Sequence, residues 1–277
     1  MSDTRKPVCL VLGAGAGIGG NTAARFAKGG YHVVLARRSD EEGLNRLIAG
    51  IEAEGGSASG ALINAVDDGT IEELVEATER DIGPIEVAVF NLGAQIGNRP
   101  FFDTPHKTFE LGWRMTTYAL FRLAQAMLPA MVERAKNGRN GTLLVTSATS
   151  AVRGNSGQHS HAAAIGGRRM LCQTLNAEFA SQGIHVAHVV VDGPVDAPDT
   201  LGKLLGDKFE AYKAMKGEDG VLDPARIAET YWHLAHQHRS CWSFEVDVRP
   251  WTDTPWWNDN PPPATNTSSA KPGFKKT

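Results

Sequence analysis

The sequence predicts one doubly wound α/β domain, a parallel sheet of about seven strands with helices on both faces. Three observations carry this. A short apolar run, Val8 to Leu12, breaks into a glycine series and continues as a helical stretch. Apolar runs and amphipathic stretches then alternate along the chain. The late runs Thr142 to Thr146 and His185 to Val191 are almost continuously apolar, as strands buried on both faces must be.

Taken in order, the first strand has a β-branched start and ends at Gly13, Gly15, Gly17, Gly19 and Gly20, with a helix from Asn21 to Lys28. Tyr31 to Ala36 reads as the second strand, Glu41 to Glu54 as an amphipathic helix, Ala58 to Asn64 as the third strand and Thr70 to Arg80 as the next helix. Val87 to Asn91 is the fourth strand. Long helices near Lys107 to Lys136 and His161 to Ser181 separate the fourth, fifth and sixth strands; the pattern assigns the seventh no position. Residues 1–257 are expected to form the domain and its C-terminal extension, and 258–277 a flexible polar, proline-rich tail. Four of the six tryptophans (Trp242, Trp251, Trp256, Trp257) fall after residue 240, where they can anchor that extension.

Composition narrows the function. The 277 residues are 42% hydrophobic and 21% charged, enough to build a full core. With 28 Lys and Arg against 31 Asp and Glu the net charge is −3, so no basic excess exists to hold nucleic acid by counterion release. No run reaches the roughly 18 to 20 apolar residues of a membrane span, and the N-terminus lacks the apolar stretch of a signal peptide. A cytoplasmic protein that makes no membrane contact is expected. Cys9, Cys172 and Cys241 are far apart and lack zinc-ligand spacing, which predicts free thiols and no metal.

The glycines fit two phosphate-binding patterns. Gly15, Gly17 and Gly20 satisfy GxGxxG, whereas Gly13, Gly17 and Gly19 satisfy GxxxGxG. Position favours the second, because its first glycine directly follows the strand, where the chain must turn and let backbone approach a pyrophosphate. The second strand ends in Ala36-Arg37-Arg38, where NAD sites carry a carboxylate for the ribose 2′-OH about 20 residues beyond the glycines. Two guanidiniums suit a 2′-phosphate instead and point to NADP. The alternative is a solvated pair beside Asp40 and Glu41.

The GxxxGxG series, with Phe90-Asn91-Leu92-Gly93 after the fourth strand, resembles the short-chain dehydrogenase/reductase family. Val66-Asp67 after the third strand, Gly183-Ile184-His185-Val186 before the sixth and Val191-Asp192-Gly193-Pro194 at its end extend the resemblance over nearly the whole domain. It implies a Rossmann-type, NADP-dependent oxidoreductase that passes hydride between nicotinamide and a carbonyl or alcohol. By the same resemblance Gly13, Gly17, Ile18 and Gly19 hold the pyrophosphate, Arg37 and Arg38 the adenosine phosphate, and Asn64 and Ala65 the adenine. Asn91 and Gly93 then take the inner ribose, and Gly193 and Val195 the nicotinamide end. A homodimer or homotetramer paired through the two long helices is implied too, with Leu120, Leu123, Met127 and Met131 offering part of an apolar face.

The family's catalytic residues do not carry over. Its Tyr-x-x-x-Lys pair falls on His161 and Ile165, its Ser on Ala148 between Ser147 and Thr149, and its Asn on about Thr116. The literal Tyr212-x-x-x-Lys216 lies beyond the sixth strand, in the segment that covers substrate in this family, and reads as a solvated lid helix. Histidine ordinarily titrates near 6.5, so His161 can donate a proton without a neighbouring cation, and losing Tyr and Lys together is chemically coherent. Thr149 is the candidate for orienting a substrate oxygen, and His159 reads as surface. Two classes therefore compete: an oxidoreductase with His161 as its acid, and a catalytically silent NADP-binding protein in which His161 only packs.

Overall fold

Seven strands, β1 (Val8–Leu12), β2 (His32–Arg37), β3 (Ser57–Leu62), β4 (Ile85–Phe90), β5 (Gly141–Ala148), β6 (Ile184–Val191) and β7 (Glu245–Val248), form one parallel sheet in the order β3-β2-β1-β4-β5-β6-β7. The computed structural model describes residues 5–93 and 99–258. The central strands read as apolar runs because both faces are covered: every residue of β1 is buried, as are seven of the eight in β6. The connecting helices are α1 (Ile18–Lys28), α2 (Glu41–Ala53), α3 (Thr70–Ala77), α4 (His106–Trp113), α5 (Ala119–Ala135), α6 (His159–Phe179), the single turn α7 (Lys203–Leu205), α8 (Phe209–Lys216) and α9 (Pro224–Ala235). Alternate strand residues feed two cores. Val8, Leu10, Phe90 and Val145 pack with α3, α5 and α6; Cys9, Val11, Val89 and Leu144 pack with α1, α2 and α9.

Several expectations move. Helix α1 begins at Ile18 rather than Asn21, taking in Gly19 and Gly20, whose buried positions leave no room for side chains against the glycine turn. The seventh strand lies among the late tryptophans, paired with β6 from His188↔Glu245 to Val191↔Val248. The predicted helix 107–136 is α4 and α5 joined by a π-turn, Arg114–Tyr118. Leu120, Leu123, Met127 and Met131 are all buried in the chain's own core, so they offer nothing to a second copy. Helical spacing puts them on the sheet side of α5, while Phe121 on its exposed side stacks on Tyr118 of the π-turn and Tyr118 on Trp113 of α4.

The C-terminal extension is described through Asn258, the first residue of the expected tail 258–277, and the rest of that tail lies outside the described residues. The Trp256 backbone N–H donates to Asp192 Oδ2 and its indole N–H to Asp247 Oδ2. Arg249 pairs with both carboxylates, at 3.0 and 3.1 Å, and lies over the Trp257 ring. Arg153, beyond β5, donates to Trp256 O at 3.0 Å. The extension thus braces the turns that follow β5 and β6. Cys9 and Cys172 are buried free thiols and Cys241 an exposed one. Among the described residues no helix is long and apolar enough to cross a membrane, and no cluster of His, Cys, Asp or Glu could hold a metal.

Candidate functional site

The site forms at the C-terminal ends of the strands, where connections leave β1 and its neighbour β4 in opposite directions and open a crevice. Gly13 ends β1 with φ +93°, and a β-carbon there would lie 2.6 Å from Asn91 O. A β-carbon on Gly17 would lie 2.8 Å from Ala197 Cβ. The glycines thus carry no side chains of their own into the crevice, as a pyrophosphate cradle requires, and the segment with Ala197 and Asp199 lies directly against the turn.

Beside it a pocket is lined by Gly13, Arg37, Arg38, Ile63, Asn64, Ala65, Val66, Leu92 and Met115. This brings the predicted adenosine residues together. Arg37 is bound to Asp40 at 2.9 Å, while Arg38 is exposed. The pocket's far wall is held from outside: Arg122 donates to Ala65 O while paired with Glu72, and Arg114 donates to Val66 O. Arg122 holds the Glu72 carboxyl below the usual carboxylate range.

Beneath the crevice lies a relay that crosses four elements. Tyr231 O–H of α9 donates to Thr146 Oγ1 at 2.8 Å, Thr146 O–H to Asn91 Oδ1 at 2.8 Å, and Asn91 Nδ2–H to Gly13 O at 2.9 Å. Strand pairing between β4 and β5 stops at Phe90↔Val145, leaving the Leu92 and Thr146 carbonyls beyond the ladder. Arg168 of α6 donates to both, at 2.6 Å each. Its guanidinium is buried over the Phe90 ring with no carboxylate in ion-pair reach among the described residues, and burial pulls it down to about 10. Tyr231 is buried completely, which pushes its phenol up.

The predicted catalytic positions fall on three packed elements. His161 lies half-buried in the first turn of α6, which packs on the 3₁₀ turn Thr149–Ala151 and on the π-turn carrying Thr116. Strand β5 ends at Ala148, so Thr149 already belongs to the turn, and its hydroxyl has no partner among the described residues. Ile165 is buried. Thr116 is 1% exposed and donates to Gly112 O of its own helix, which commits its hydroxyl. His159 is half-buried rather than surface, bonded to Thr104 Oγ1 at 2.7 Å and set against the Phe101 ring. Val195 bridges to Leu222, and Gly193 is covered by Pro250: a β-carbon there would lie 2.6 Å from its ring. Lys216 is ion-paired with Asp253 at 2.5 Å and Lys213 with Asp196, which ties α8, the expected lid helix, to the C-terminal extension and to the connection after β6.

Thr146 and Tyr231 are site residues that nothing in the sequence marks. Arg168 alone left a trace, standing two turns after His161 on one helix face. Asp199 left none. It accepts a hydrogen bond from Ala16 N–H of the glycine turn, which holds its carboxyl below the usual range.

Comparison with known proteins agrees with this fold. The family model described as enoyl-(acyl carrier protein) reductase matches residues 13–245. A 2-keto-3-deoxy-L-fuconate dehydrogenase of Xanthomonas campestris is 28% identical over 243 residues, 84% of this chain and 75% of that protein. A 1-deoxy-11-beta-hydroxypentalenate dehydrogenase of Streptomyces exfoliatus is 29% identical over 70% of this chain and 69% of its own. A solved short-chain dehydrogenase from Rhodopseudomonas palustris superposes with TM-score 0.74 at 30% identity, over 89% of this chain and all of that one. An actinorhodin polyketide ketoreductase solved with NADPH gives TM-score 0.77 at 25% identity, over 88% and 96%.

Proposed function

The chain belongs to the short-chain dehydrogenase/reductase family of oxidoreductases, and from that premise we propose that it is an NADP(H)-dependent oxidoreductase acting on a carbonyl or alcohol. One observation carries the reading: the glycine turn and the pocket with Arg37, Arg38, Asn64 and Ala65 meet in a single crevice at the β1/β4 switch point. The cofactor supplies or accepts hydride. Gly13, Gly17, Ile18 and Gly19 present backbone to its pyrophosphate, and Asn91, fixed from both sides, sets the edge on which its inner ribose rests, beside Gly93. Arg38 takes the 2′-phosphate, with Arg37 beside it. Gly193 and Val195 frame the nicotinamide end from behind. His161 exchanges the proton at the carbonyl oxygen and Thr149 orients that oxygen through its hydroxyl. Thr116 shapes the opposite helix through its bond to Gly112 and leaves the oxygen to these two. The protein acts in the cytoplasm as a homodimer or homotetramer on a small-molecule substrate.

A specific observation favours a second reading, a silent dinucleotide-binding protein. Ile165 is packed into the interior, and the family's Ser position is Ala148. Titration with NADPH and NADH, followed by NADPH oxidation over a panel of carbonyl compounds, separates the two. Preference for NADPH with turnover supports the enzyme; tight binding without turnover supports the silent protein; failure to bind either dinucleotide defeats both.

A further inference from the structure

Asp199 lies in the π-turn Pro198–Gly202 of the lid, far along the chain from the glycine turn it touches. Its Oδ2 accepts from Ala16 N–H at 3.2 Å and lies 3.7 Å from Arg37 Nη2, and its Oδ1 is 3.4 Å from Lys203 Nζ. The same lid segment seats Ala197 against Gly17. One carboxylate is thus ringed by a backbone amide of the phosphate turn, the guanidinium at the end of β2 and an ammonium. These are the donors a phosphate would use.

We propose that Asp199 is a cofactor-specificity residue, an internal anion that competes with the dinucleotide's 2′-phosphate for Ala16 N–H and Arg37. The inference rests on the dinucleotide reading above and deepens it. A 2′-phosphate entering beside Arg37 meets the carboxylate's charge and must displace it, so part of the attraction of Arg37 and Arg38 goes to replacing a bond already made. A dinucleotide with a bare 2′-OH brings no second anion and leaves Asp199 on Arg37. Asp199 therefore narrows the preference for the phosphorylated cofactor that the two arginines create. It also couples the adenosine pocket to the lid, because releasing Asp199 frees the segment that holds Ala197 over Gly17.

The test is calorimetric titration of the wild-type protein, Asp199→Asn and Asp199→Ala with NADPH, NADH, 2′,5′-ADP and 5′-AMP, after thermal unfolding has shown both variants folded. Losing one competing charge-assisted contact should tighten NADPH and 2′,5′-ADP about tenfold, while NADH and 5′-AMP change less than about threefold. Unchanged or weaker NADPH binding overturns the proposal. Equal gains for both dinucleotides overturn the assignment to the 2′-phosphate, and weaker NADH binding in the variants shows Asp199 to be a ligand of the 2′-OH instead. If no protein binds either dinucleotide, the cofactor reading itself fails, whereas binding that is identical across the three proteins removes only the role of Asp199.

Discussion

Thr146→Val tests the relay under the crevice. Valine keeps the shape and removes the hydroxyl, so Tyr231 O–H loses its acceptor and Asn91 Oδ1 loses its donor. The first loss dominates, because Tyr231 is 0% exposed while Asn91 is only half-buried. An unsatisfied buried hydroxyl costs about 1–3 kcal/mol, and with a smaller contribution from Asn91 the variant should lose about 3 kcal/mol. At roughly 2–4 °C per kcal/mol for a protein of this size, its Tm falls by about 6–12 °C. Tyr231→Phe removes only one bond and leaves no orphan donor, so it costs about 1 kcal/mol. The double variant is the decisive one. Once the phenol is gone nothing in α9 is left unpaired, so the pair should be more stable than Thr146→Val alone, with a coupling of about 1–2 kcal/mol. Urea unfolding of the four proteins measures the cycle. Strictly additive losses, or a neutral Thr146→Val, would show that the three hydroxyl and amide groups do not act as a unit.

His161→Phe should lower carbonyl reduction by about 10² to 10⁴ while NADPH affinity holds; full turnover in the variant would make His161 a packing residue. His188 is fully buried between Glu245, Phe244 and the arginines at 168 and 169, and burial, opposed by Glu245, brings it down to about 4. The unfolded chain takes up that proton near 6.5, so this contribution is complete above pH 6.5 and is lost as pH falls toward 4, about 3 kcal/mol in all. His188→Gln should flatten that slope in unfolding measured at pH 7 and 4.5, and an unchanged slope refutes it. If the stacked face of Trp113, Tyr118 and Phe121 pairs with a second copy, Phe121→Asp should turn an oligomer into a monomer in sedimentation at micromolar concentration; a monomeric wild type refutes the pairing.

What the sequence made legible was periodic or punctuated. The alternation that placed six strands works because a two-sided core forces apolar runs, and Gly13 stood out because only glycine suits its turn. Strand β7 was missed because Glu245-Val-Asp-Val carries its acidic side chains outward to Arg169 and Arg249. The short motif at Tyr212 misled nothing, since its lysine is spoken for by Asp253. Leu120 and Met127 were read as a possible partner face because a helix stripe alone cannot say which neighbour it meets. Arg168 and Asp199 lie further out of reach. A buried arginine and a lid carboxylate acquire meaning only from carbonyls and amides supplied by segments distant in sequence, and backbone groups have no letter of their own.

The relay from Tyr231 to Gly13 also bears on how the molecule comes into being. The glycine turn precedes along the chain every segment that supports it: the hydroxyl at the far end of the relay comes from α9, and the donors between are drawn from the ends of β4 and β5. Such contacts of long sequence separation carry a large loop-closure entropy and form late and slowly. A nascent chain halted before α9 would hold every residue of the glycine motif and still leave the relay beneath it open at the Tyr231 end. Competence to bind a dinucleotide should therefore arrive abruptly once α9 has been made, as one cooperative event, rather than growing as successive βα units emerge.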